Sequence, residues 1–414
     1  MAGIAIPMPA PPRPAVVVAL LGVLVFINYV DRGNLATAGP LIKAETGLSN
    51  TQFGLLVSAF FWTYTPAQLA AGWLGQRFNT YVVLSLGLVI WALATIATGL
   101  TSGFAALLVF RLILGVGESV AFPCSSKLIA EQIAPDRLGS ANAQIAVGLS
   151  MGPAFGILAG GLLMAEFGWR MTFILFGTLS LIWLIPWLSI QRIASRHAPP
   201  TPDRSPSFAA ILRCRSAWGT GIGHFCLNYS LYFLLAWLPL YLVKARGFTL
   251  PQMAQIGGIV YLLQAISAVA SGRIADRWIR RGASATRARK TMMVAGTLIT
   301  GASLIVAASS DARLAIAALL VSGISGGMTA ANTYAVGQTC AGPLAAGKWV
   351  GFQNFVGNLA GIVAPALTGL LVDRTGGYGA AFGVAAGVSL FGAVCWGVIV
   401  KRVVCEEWAP VIAR

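Results

Sequence analysis

Long apolar blocks separated by short polar segments dominate this chain of 414 residues. Each block has about 20 residues or more, which is the length that an α-helix needs to cross a bilayer, whereas a barrel strand needs about half as many. The pattern therefore predicts an all-α integral membrane protein with twelve transmembrane helices. The predicted spans are 15–38, 51–74, 81–100, 104–128, 139–165, 170–190, 217–243, 253–273, 291–309, 313–339, 349–372 and 379–400.

The longest polar interruption, 191–216, divides the spans into six and six. It is rich in Pro, Ser and Arg, which is typical of a linker. Two landmarks recur across it at nearly the same offset, because Gly72 and Gly272 open similar loops and Gly161 and Gly369 follow matching spans. These matches indicate a duplicated six-helix unit, a plan typical of secondary transporters with a site near the bilayer midplane.

Five segments follow from this pattern. They are a disordered cytoplasmic N-terminus at 1–14, a first bundle at 15–190, a cytoplasmic linker at 191–216, a second bundle at 217–403 and a cytoplasmic tail at 404–414.

Charge is scarce and unevenly distributed. Only 10% of residues are charged, against about a quarter in a soluble domain, and the net charge is +16. Twenty of the 28 Lys and Arg residues lie on the side of the membrane that holds both termini, and six lie on the other. The positive-inside rule then places both termini in the cytoplasm. The basic excess is a topology signal, and a nucleic-acid partner is not expected.

Cysteine and histidine give no sign of a metal or redox centre. The six cysteines are scattered without a CxxC pair, and His197 and His224 are far apart. The chain also has no nucleophile constellation and no phosphate-binding loop. We expect no cofactor, no metal and no enzymatic activity.

Four ionisable residues fall inside predicted spans, away from the span ends: Asp31 and Arg32 in the first, Arg111 and Glu118 in the fourth. Each costs roughly 2.5–3.5 kcal/mol on insertion scales, which makes each a candidate functional residue. Opposite charges on two spans suggest cross-pairing, of Asp31 with Arg111 or of Arg32 with Glu118. The alternative is a purely structural ion-pair network that fixes the two helices together.

The types of these residues point to anion transport. A guanidinium facing a central cavity can bind a carboxylate through two hydrogen bonds, so Arg32 and Arg111 are candidate substrate-binding residues. A carboxyl group that balances desolvation against a nearby arginine can take up and release a proton. Asp31 and Glu118 are therefore candidates for proton coupling.

Other polar side chains inside the spans extend this set. Alone, each is explained as an interfacial tyrosine or as an amide bonded across helices. Together they suggest hydrogen-bonding groups for a polyhydroxylated acid. They are Tyr29, Tyr64, Asn228, Tyr229, Tyr232, Tyr334, Asn354 and Asn358.

Several motifs carry a resemblance to a known family. "NYVDRGNLATAGP", "GLSNTQFGLLVSAFFWTYTPAQLAAGWLGQRF", "FRLILGVGESVAFP" and "FQNFVGNLAGIVAPALTGLLVD" are similar to the anion:cation symporter family of the major facilitator superfamily. The nearest branch is the bacterial one for galactonate, glucarate and hexuronates. The resemblance implies proton-coupled import of an organic anion across the bacterial inner (plasma) membrane, by a monomer in contact with lipid.

The resemblance also implies residue roles. Asp31 and Glu118 would carry protons, Arg32 and Arg111 would bind the carboxylate, and substrate contacts would come from tyrosine and asparagine side chains. The family's substrate-contacting positions match Tyr29, Tyr64, and Asn354 or Asn358. A cytoplasmic conformational latch would use Gly72, Arg77, Gly272, Asp276 and Arg277.

Two departures from the family pattern bear on these roles. Gln76 stands where the first latch loop usually has Asp, so a weaker charge contact is expected there than in the second loop. Leu149 stands where a glutamine near the site is expected, which argues against galactonate itself.

Two other functions remain open at this point. "GLSMGPAFGILAGG", 148–161, resembles the Gly-Pro motif of superfamily antiporters, which favours an exchanger or efflux protein. A strict anion exchanger, however, needs no titrating carboxylate such as Asp31. A transporter-like sensor is a further alternative, although such proteins often carry an added cytoplasmic domain, and the longest predicted cytoplasmic segment is the linker.

Overall fold

The computed structural model describes residues 12–48, 50–197, 205–309 and 311–408, and their regular structure is helical. Nine helical stretches among these residues are long and apolar enough to cross a membrane. Two of them, of 60 and 64 residues, are about three times the length that one crossing requires, which is room for two crossings and a connection.

Seven helices form the first half of the chain. They are α1 Pro14–Thr46, α2 Asn50–Arg77, α3 Thr80–Leu100, α4 Phe104–Glu118, α5 Ala121–Gln132, α6 Leu138–Ile182 and α7 Leu184–His197. A short 3₁₀ turn, Pro135–Arg137, precedes α6.

Seven further helices form the second half. They are α8 Phe208–Arg213, α9 Arg215–Leu240, α10 Leu250–Arg280, α11 Ala285–Ser309, α12 Ala312–Asn358, α13 Ala360–Thr375 and α14 Gly379–Val394. Single π-helical turns, Tyr241–Ala245 and Cys395–Ile399, follow α9 and α14.

Two glycines split the longest helices into separate membrane crossings. Gly168 in α6 has a φ of 76° and Gly342 in α12 has a φ of 64°, and each interrupts the helical backbone. Glycine adopts this left-handed conformation without steric penalty, so the chain can reverse direction there. α6 with α7 thus provides the fifth and sixth spans, and α12 with α13 provides the tenth and eleventh.

The remaining elements complete the twelve spans. α4 and α5 together form the fourth, and α14 with its π-helical turn forms the twelfth. α2 forms the second span although it is not among the nine most apolar stretches, because it places buried polar side chains such as Thr65 and Gln68 within the helix. The predicted all-α fold with twelve spans is confirmed.

The two halves pack separately and then against each other. In the first half α1 packs on α6, and α2 and α3 pack on α4. In the second half α12 contacts α9, α10 and α11. The halves meet where α2 and α5 contact α12 and where α6 contacts α10. This arrangement leaves a central space between the halves.

The segments outside the bundles are more ordered than the sequence suggests. Residues 191–197 of the predicted linker continue α7, and α8 forms another part of it. In the tail, the indole of Trp408 donates to the Ala341 carbonyl at 2.8 Å. Residues 1–11, 198–204 and 409–414, in the predicted N-terminus, linker and tail, lie outside the described residues.

Candidate functional site

Arg32 lies at the centre of an aromatic cage in the first half. Its guanidinium carbon is 4.5 Å from the ring centroid of Tyr29, 4.8 Å from that of Phe60 and 4.4 Å from that of Tyr64. Phe60 and Tyr64 are one turn apart on α2 and stack on each other at 4.7 Å. These rings attract the cation and hold its plane in a fixed orientation.

Glu118 pairs with Arg32 across the two helices. The Arg32 Nε donates to Glu118 Oε2 at 3.0 Å, and the Glu118 side chain is fully buried. This is one of the two cross-pairings that the sequence left open. Nη2 of Arg32 and Oε1 of Glu118 are buried without a hydrogen-bond partner in the described part of the chain. The pair therefore has hydrogen-bonding groups that a ligand could use. In a purely structural ion pair, all such groups would be bonded within the protein.

Asp31 lies on a different face of α1 from Arg32. It lines a small side cavity next to α6, together with Phe155, Phe176 and Ser180. The residue is 3% exposed, and neither carboxyl oxygen has a hydrogen-bond partner among the described residues. An unbonded carboxyl in a mainly apolar recess is a group whose charge state is sensitive to its surroundings.

Arg111 completes the group of four. It is 6% exposed on α4, and its Nε is without a partner in the region that the structure covers. It interacts electrostatically with Glu118, Asp31 and Arg32 rather than through a direct ion pair. The structure thus brings all four predicted residues into one electrostatic cluster within the first half.

The main cavity lies beside this cluster, between the two halves. It has a volume of about 110 Å³ and is partly open to solvent. Five of the residues predicted to bind substrate line it: Tyr29, Tyr64, Asn228, Tyr334 and Asn358. The Arg32 guanidinium packs against the rings of two of these lining residues, Tyr29 and Tyr64.

The other predicted amides and tyrosines support the cavity wall. Tyr232 donates to Asn358 at 2.9 Å and Tyr334 donates to Asn354 at 3.1 Å. Asn354 in turn donates to Gln68 of α2 at 3.3 Å, so this bond joins the two halves. Tyr232 and Asn354 therefore position groups that line the cavity.

Sequence reasoning missed part of the wall. Phe122 stacks on Tyr334 at 5.1 Å across the two halves, and His224 meets the same ring edge-on at 5.5 Å. His224 is the single histidine within a predicted span, which was an available signal. Further lining comes from polar residues of α9 to α12 that are common in packed membrane helices, so their pattern gave no signal. They include Ser230, Gln264, Thr300, Ser322, Thr329 and Thr333.

The predicted latch loops lie where the halves meet on the side of the termini. A Cβ on Gly72 would be 2.6 Å from the Gly347 carbonyl oxygen, and one on Gly272 would be 2.5 Å from that of Gly139. Asp276 accepts from the backbone N–H groups of Gly139 and Ser140 at 3.0 and 2.6 Å. Its carboxylate thus caps the N-terminus of α6 in the opposite half.

In the first latch loop, no carboxylate caps a helix of the opposite half among the described residues. Gln76 stands at the position of Asp276, and its Nε2 is buried without a partner among the residues described. Neither Arg77 nor Arg277 forms an ion pair within the described ranges. The second loop is therefore the one that makes the charged contact.

Comparisons with known proteins agree with this architecture. The model of the family "Major Facilitator Superfamily" matches residues 21–286 and 282–410. The hexuronate transporter of Bacillus subtilis is 30% identical over 88% of this chain and 89% of its own length. A probable sulfoacetate transporter of Cupriavidus necator is 30% identical over 91% of this chain and 93% of its own.

A solved structure gives the same fold. FucP, a transporter of this superfamily in the outward conformation, superposes with a TM-score of 0.72 at 17% identity, over 92% of this chain and 97% of FucP. Together with the matched family model and the two relatives, this likeness confirms the resemblance seen in the sequence motifs. The chain belongs to the major facilitator superfamily and is a multi-pass membrane transporter, not an enzyme.

Proposed function

We propose that this protein imports a small organic anion, a sugar acid, together with protons. The observation that supports this most is the buried charge cluster of α1 and α4 beside the central cavity. Arg32 and Arg111 supply the positive charge that a carboxylate requires, and Arg32 keeps an unbonded buried N–H. The names of the two relatives, a hexuronate and a sulfoacetate transporter, agree with an anionic substrate.

Coupling to protons is assigned to Asp31 and Glu118. Glu118 holds Arg32 at 3.0 Å in the absence of substrate. When a substrate carboxylate takes over the guanidinium, Glu118 loses its counter-charge and binds a proton more readily. Asp31 interacts electrostatically with Arg111, so its proton affinity would also change when a substrate carboxylate binds at the arginines. The proton gradient is then the energy source, and no cofactor is required.

The orientation follows from the charge of the loops. Lys and Arg are concentrated on the side of the termini, so we place that side in the cytoplasm of the bacterial inner membrane. The contacts of Gly72, Gly139 and Asp276 lie on this side. They hold the halves together there, which suits a state that receives substrate from outside. The protein is proposed to act as a monomer.

Uptake into liposomes tests the proposal. Reconstituted protein should accumulate a radiolabelled hexuronate or hexonate under an imposed inward proton gradient, and a protonophore should abolish the accumulation. A sodium gradient alone should have no effect. Absence of accumulation under every gradient, with exchange of internal for external anion intact, would instead support the exchanger function.

A further inference from the structure

The central cavity extends from the charge cluster deep into the second half. Four polar side chains from four different helices line this extension, and we call them the hydroxyl subsite. They are Ser230 of α9, Gln264 of α10, Thr300 of α11 and Ser322 of α12. Each is 4–8% exposed, so the subsite is built from buried groups.

The hydroxyl subsite has hydrogen-bonding capacity that the protein does not use. The Ser230 hydroxyl has no hydrogen-bond partner among the described residues, and the Gln264 amide lines the cavity beside it. Ser322 donates to the Leu319 carbonyl at 2.7 Å, which leaves its oxygen free to accept. Buried polar groups are rarely left unpaired. A ligand with several hydroxyl groups would supply both the donors and the acceptors that are missing.

The membrane spans of the second half have no charged residue away from their ends. Apart from Arg273 and Arg313 at their ends, the predicted spans 217–243, 253–273, 291–309, 313–339, 349–372 and 379–400 contain no Asp, Glu, Lys or Arg. No Asp, Glu, Lys or Arg lines the cavity in the part of the chain that the structure describes, and His224 is its one imidazole. All four charges inside the spans and away from their ends therefore lie in the first half.

This asymmetry bears on the charge of the substrate. A carboxylate near Arg32 and Arg111 finds positive charge, whereas one placed in the hydroxyl subsite would be buried without a counter-ion. Burying an unpaired ion is far more unfavourable than burying a hydroxyl that is hydrogen-bonded. One cavity is lined both by Tyr29 and Tyr64 and by the hydroxyl subsite, so a single elongated ligand in it contacts both ends.

We infer that the substrate carries one carboxylate, held at the Arg32 end of the cavity, and an uncharged hydroxylated chain that binds in the hydroxyl subsite. This inference rests on the proposed function and narrows its substrate class. A hexonate or a hexuronate fits both ends, whereas an aldarate places its second carboxylate where no positive charge exists.

The first test needs no variant. Ligand-induced thermal stabilisation of the purified full chain is measured with gluconate and glucuronate, which have one carboxylate, and with glucarate, which has two. We expect the monocarboxylates to bind at least about tenfold more tightly than glucarate, because the second charge is unpaired. Glucarate binding as tightly as gluconate would overturn the inference.

The second test uses variants of the hydroxyl subsite. Gln264→Leu and Ser322→Ala should each weaken gluconate binding by roughly tenfold. Binding of glycerate, a three-carbon hydroxy acid that does not reach the subsite, should stay the same. Ser389→Ala is the matched control, since Ser389 is buried and bonded to the Thr297 carbonyl at 2.9 Å without lining the cavity. Equal losses for gluconate and glycerate would contradict the subsite.

The outcomes separate this inference from the proposed function. If no organic anion stabilises the protein, or none is transported, the proposed function fails. If glucarate binds best and is transported under a proton gradient, the proposed function holds and only the single-carboxylate inference fails.

Discussion

Arg32 shows how a charge is accommodated inside the membrane part of this protein. Three aromatic rings and one carboxylate surround its guanidinium, and the ring-centroid distances all lie between 4.4 and 4.8 Å. Two of the rings, Tyr29 and Tyr64, also line the cavity, so under the proposed function a substrate would meet the charge at their edges. The planar shape of arginine is essential to this arrangement.

Replacing Arg32 by lysine tests that requirement. Arg32→Lys keeps the positive charge but loses the stacked plane and the Nε bond to Glu118. We expect substrate affinity to fall by about tenfold or more, measured as ligand-induced thermal stabilisation. Arg192→Lys, at an exposed position of α7, is the control and should bind normally. Unchanged affinity in Arg32→Lys would contradict the role of the cage.

Asp31 should affect coupling rather than binding, because it faces the side cavity and not the main one. Asp31→Asn is nearly the same size and cannot ionise. We expect binding to stay within about twofold and gradient-driven accumulation to be lost, while exchange of internal for external anion continues. Uptake and counterflow in the same liposomes measure both. Loss of binding in this variant would instead place Asp31 in the substrate site.

At the scale of the elements, ends of helices connect parts of the chain that are distant in sequence. Asp276, at the end of α10, caps α6 of the opposite half. Near the other end of the bundle, Glu45 of α1 accepts hydrogen bonds from Trp169 at 2.6 Å and from Arg170 at 2.7 and 2.9 Å. The first contact joins the halves, and the second fixes α6 just after its glycine kink.

The two latch loops should respond differently to mutation. Asp276→Ala removes a buried carboxylate that satisfies two backbone N–H groups and pairs with the buried Arg289 at 3.4 Å. We therefore expect a loss of about 3–5 kcal/mol and a lower transport rate. Gln76→Ala, at the equivalent place in the first loop, removes a side chain whose amide nitrogen is unpaired. Its effect on thermal stability and uptake should be smaller. Equal losses of thermal stability and uptake in the two variants would show that both loops contribute equally to the contact between the halves.

Glu45 gives the protein a pH-dependent contact outside the membrane. Hydrogen bonds from Arg170, and then from Trp169, hold the pKa of the Glu45 carboxyl below its ordinary value. A lowered pKa in the folded state means that stabilisation is present above the ordinary pKa and is lost as the pH falls through the lowered one. Glu45→Gln should therefore lower the thermal midpoint near pH 7.

The difference should shrink at an acidic pH below the lowered pKa, where the native carboxyl is protonated as well. Thermal unfolding at the two pH values measures this. Glu166→Gln is the control, since Glu166 lies in the same region and forms no ion pair among the described residues. A midpoint difference for Glu45→Gln that is as large in acid as at neutral pH would contradict the ionic origin of the contact.

At the scale of the whole molecule, two six-helix units meet through glycines on the side of the termini and enclose a cavity, and the buried charge cluster lies beside this cavity in the first half. Gly72 contacts Gly347, and Gly272 contacts Gly139, at distances that leave no room for a side chain. Transport requires these contacts to separate and form again. The absence of side chains lets them do so without interlocking.

A side chain at Gly72 should hold the halves apart. The Cβ of Gly72→Val would lie 2.6 Å from the Gly347 oxygen and 3.0 Å from the Lys348 Cα, so the backbones must separate. We expect uptake to fall by about tenfold or more, with substrate access gained from the side of the termini. Gly54→Val in the same helix is the control, because nothing lies within 4 Å of its Cβ. Normal uptake in Gly72→Val would contradict closure at this point.

The sequence by itself determined the class of the protein and the elements of its fold. Twelve apolar helical spans follow from the requirement that backbone groups in lipid be satisfied within each helix, and the one-sided basic excess follows from the positive-inside rule. The repeat on either side of 191–216 can be recognised in the sequence itself. The cost of burying charge also identified Asp31, Arg32, Arg111 and Glu118 as exceptional. These are local properties, and local properties can be recognised without knowing which helices touch.

Only the tertiary structure decided how these residues are arranged. It selected the Arg32–Glu118 pair from two possible pairings, turned Asp31 towards α6, and placed His224 and the hydroxyl subsite around the cavity. Such choices depend on helix rotation and on close approaches between residues more than 80 positions apart, as in Arg32 and Glu118. Serines and threonines that line a cavity have the same local sequence pattern as those that pack between helices, so only the packing distinguishes them.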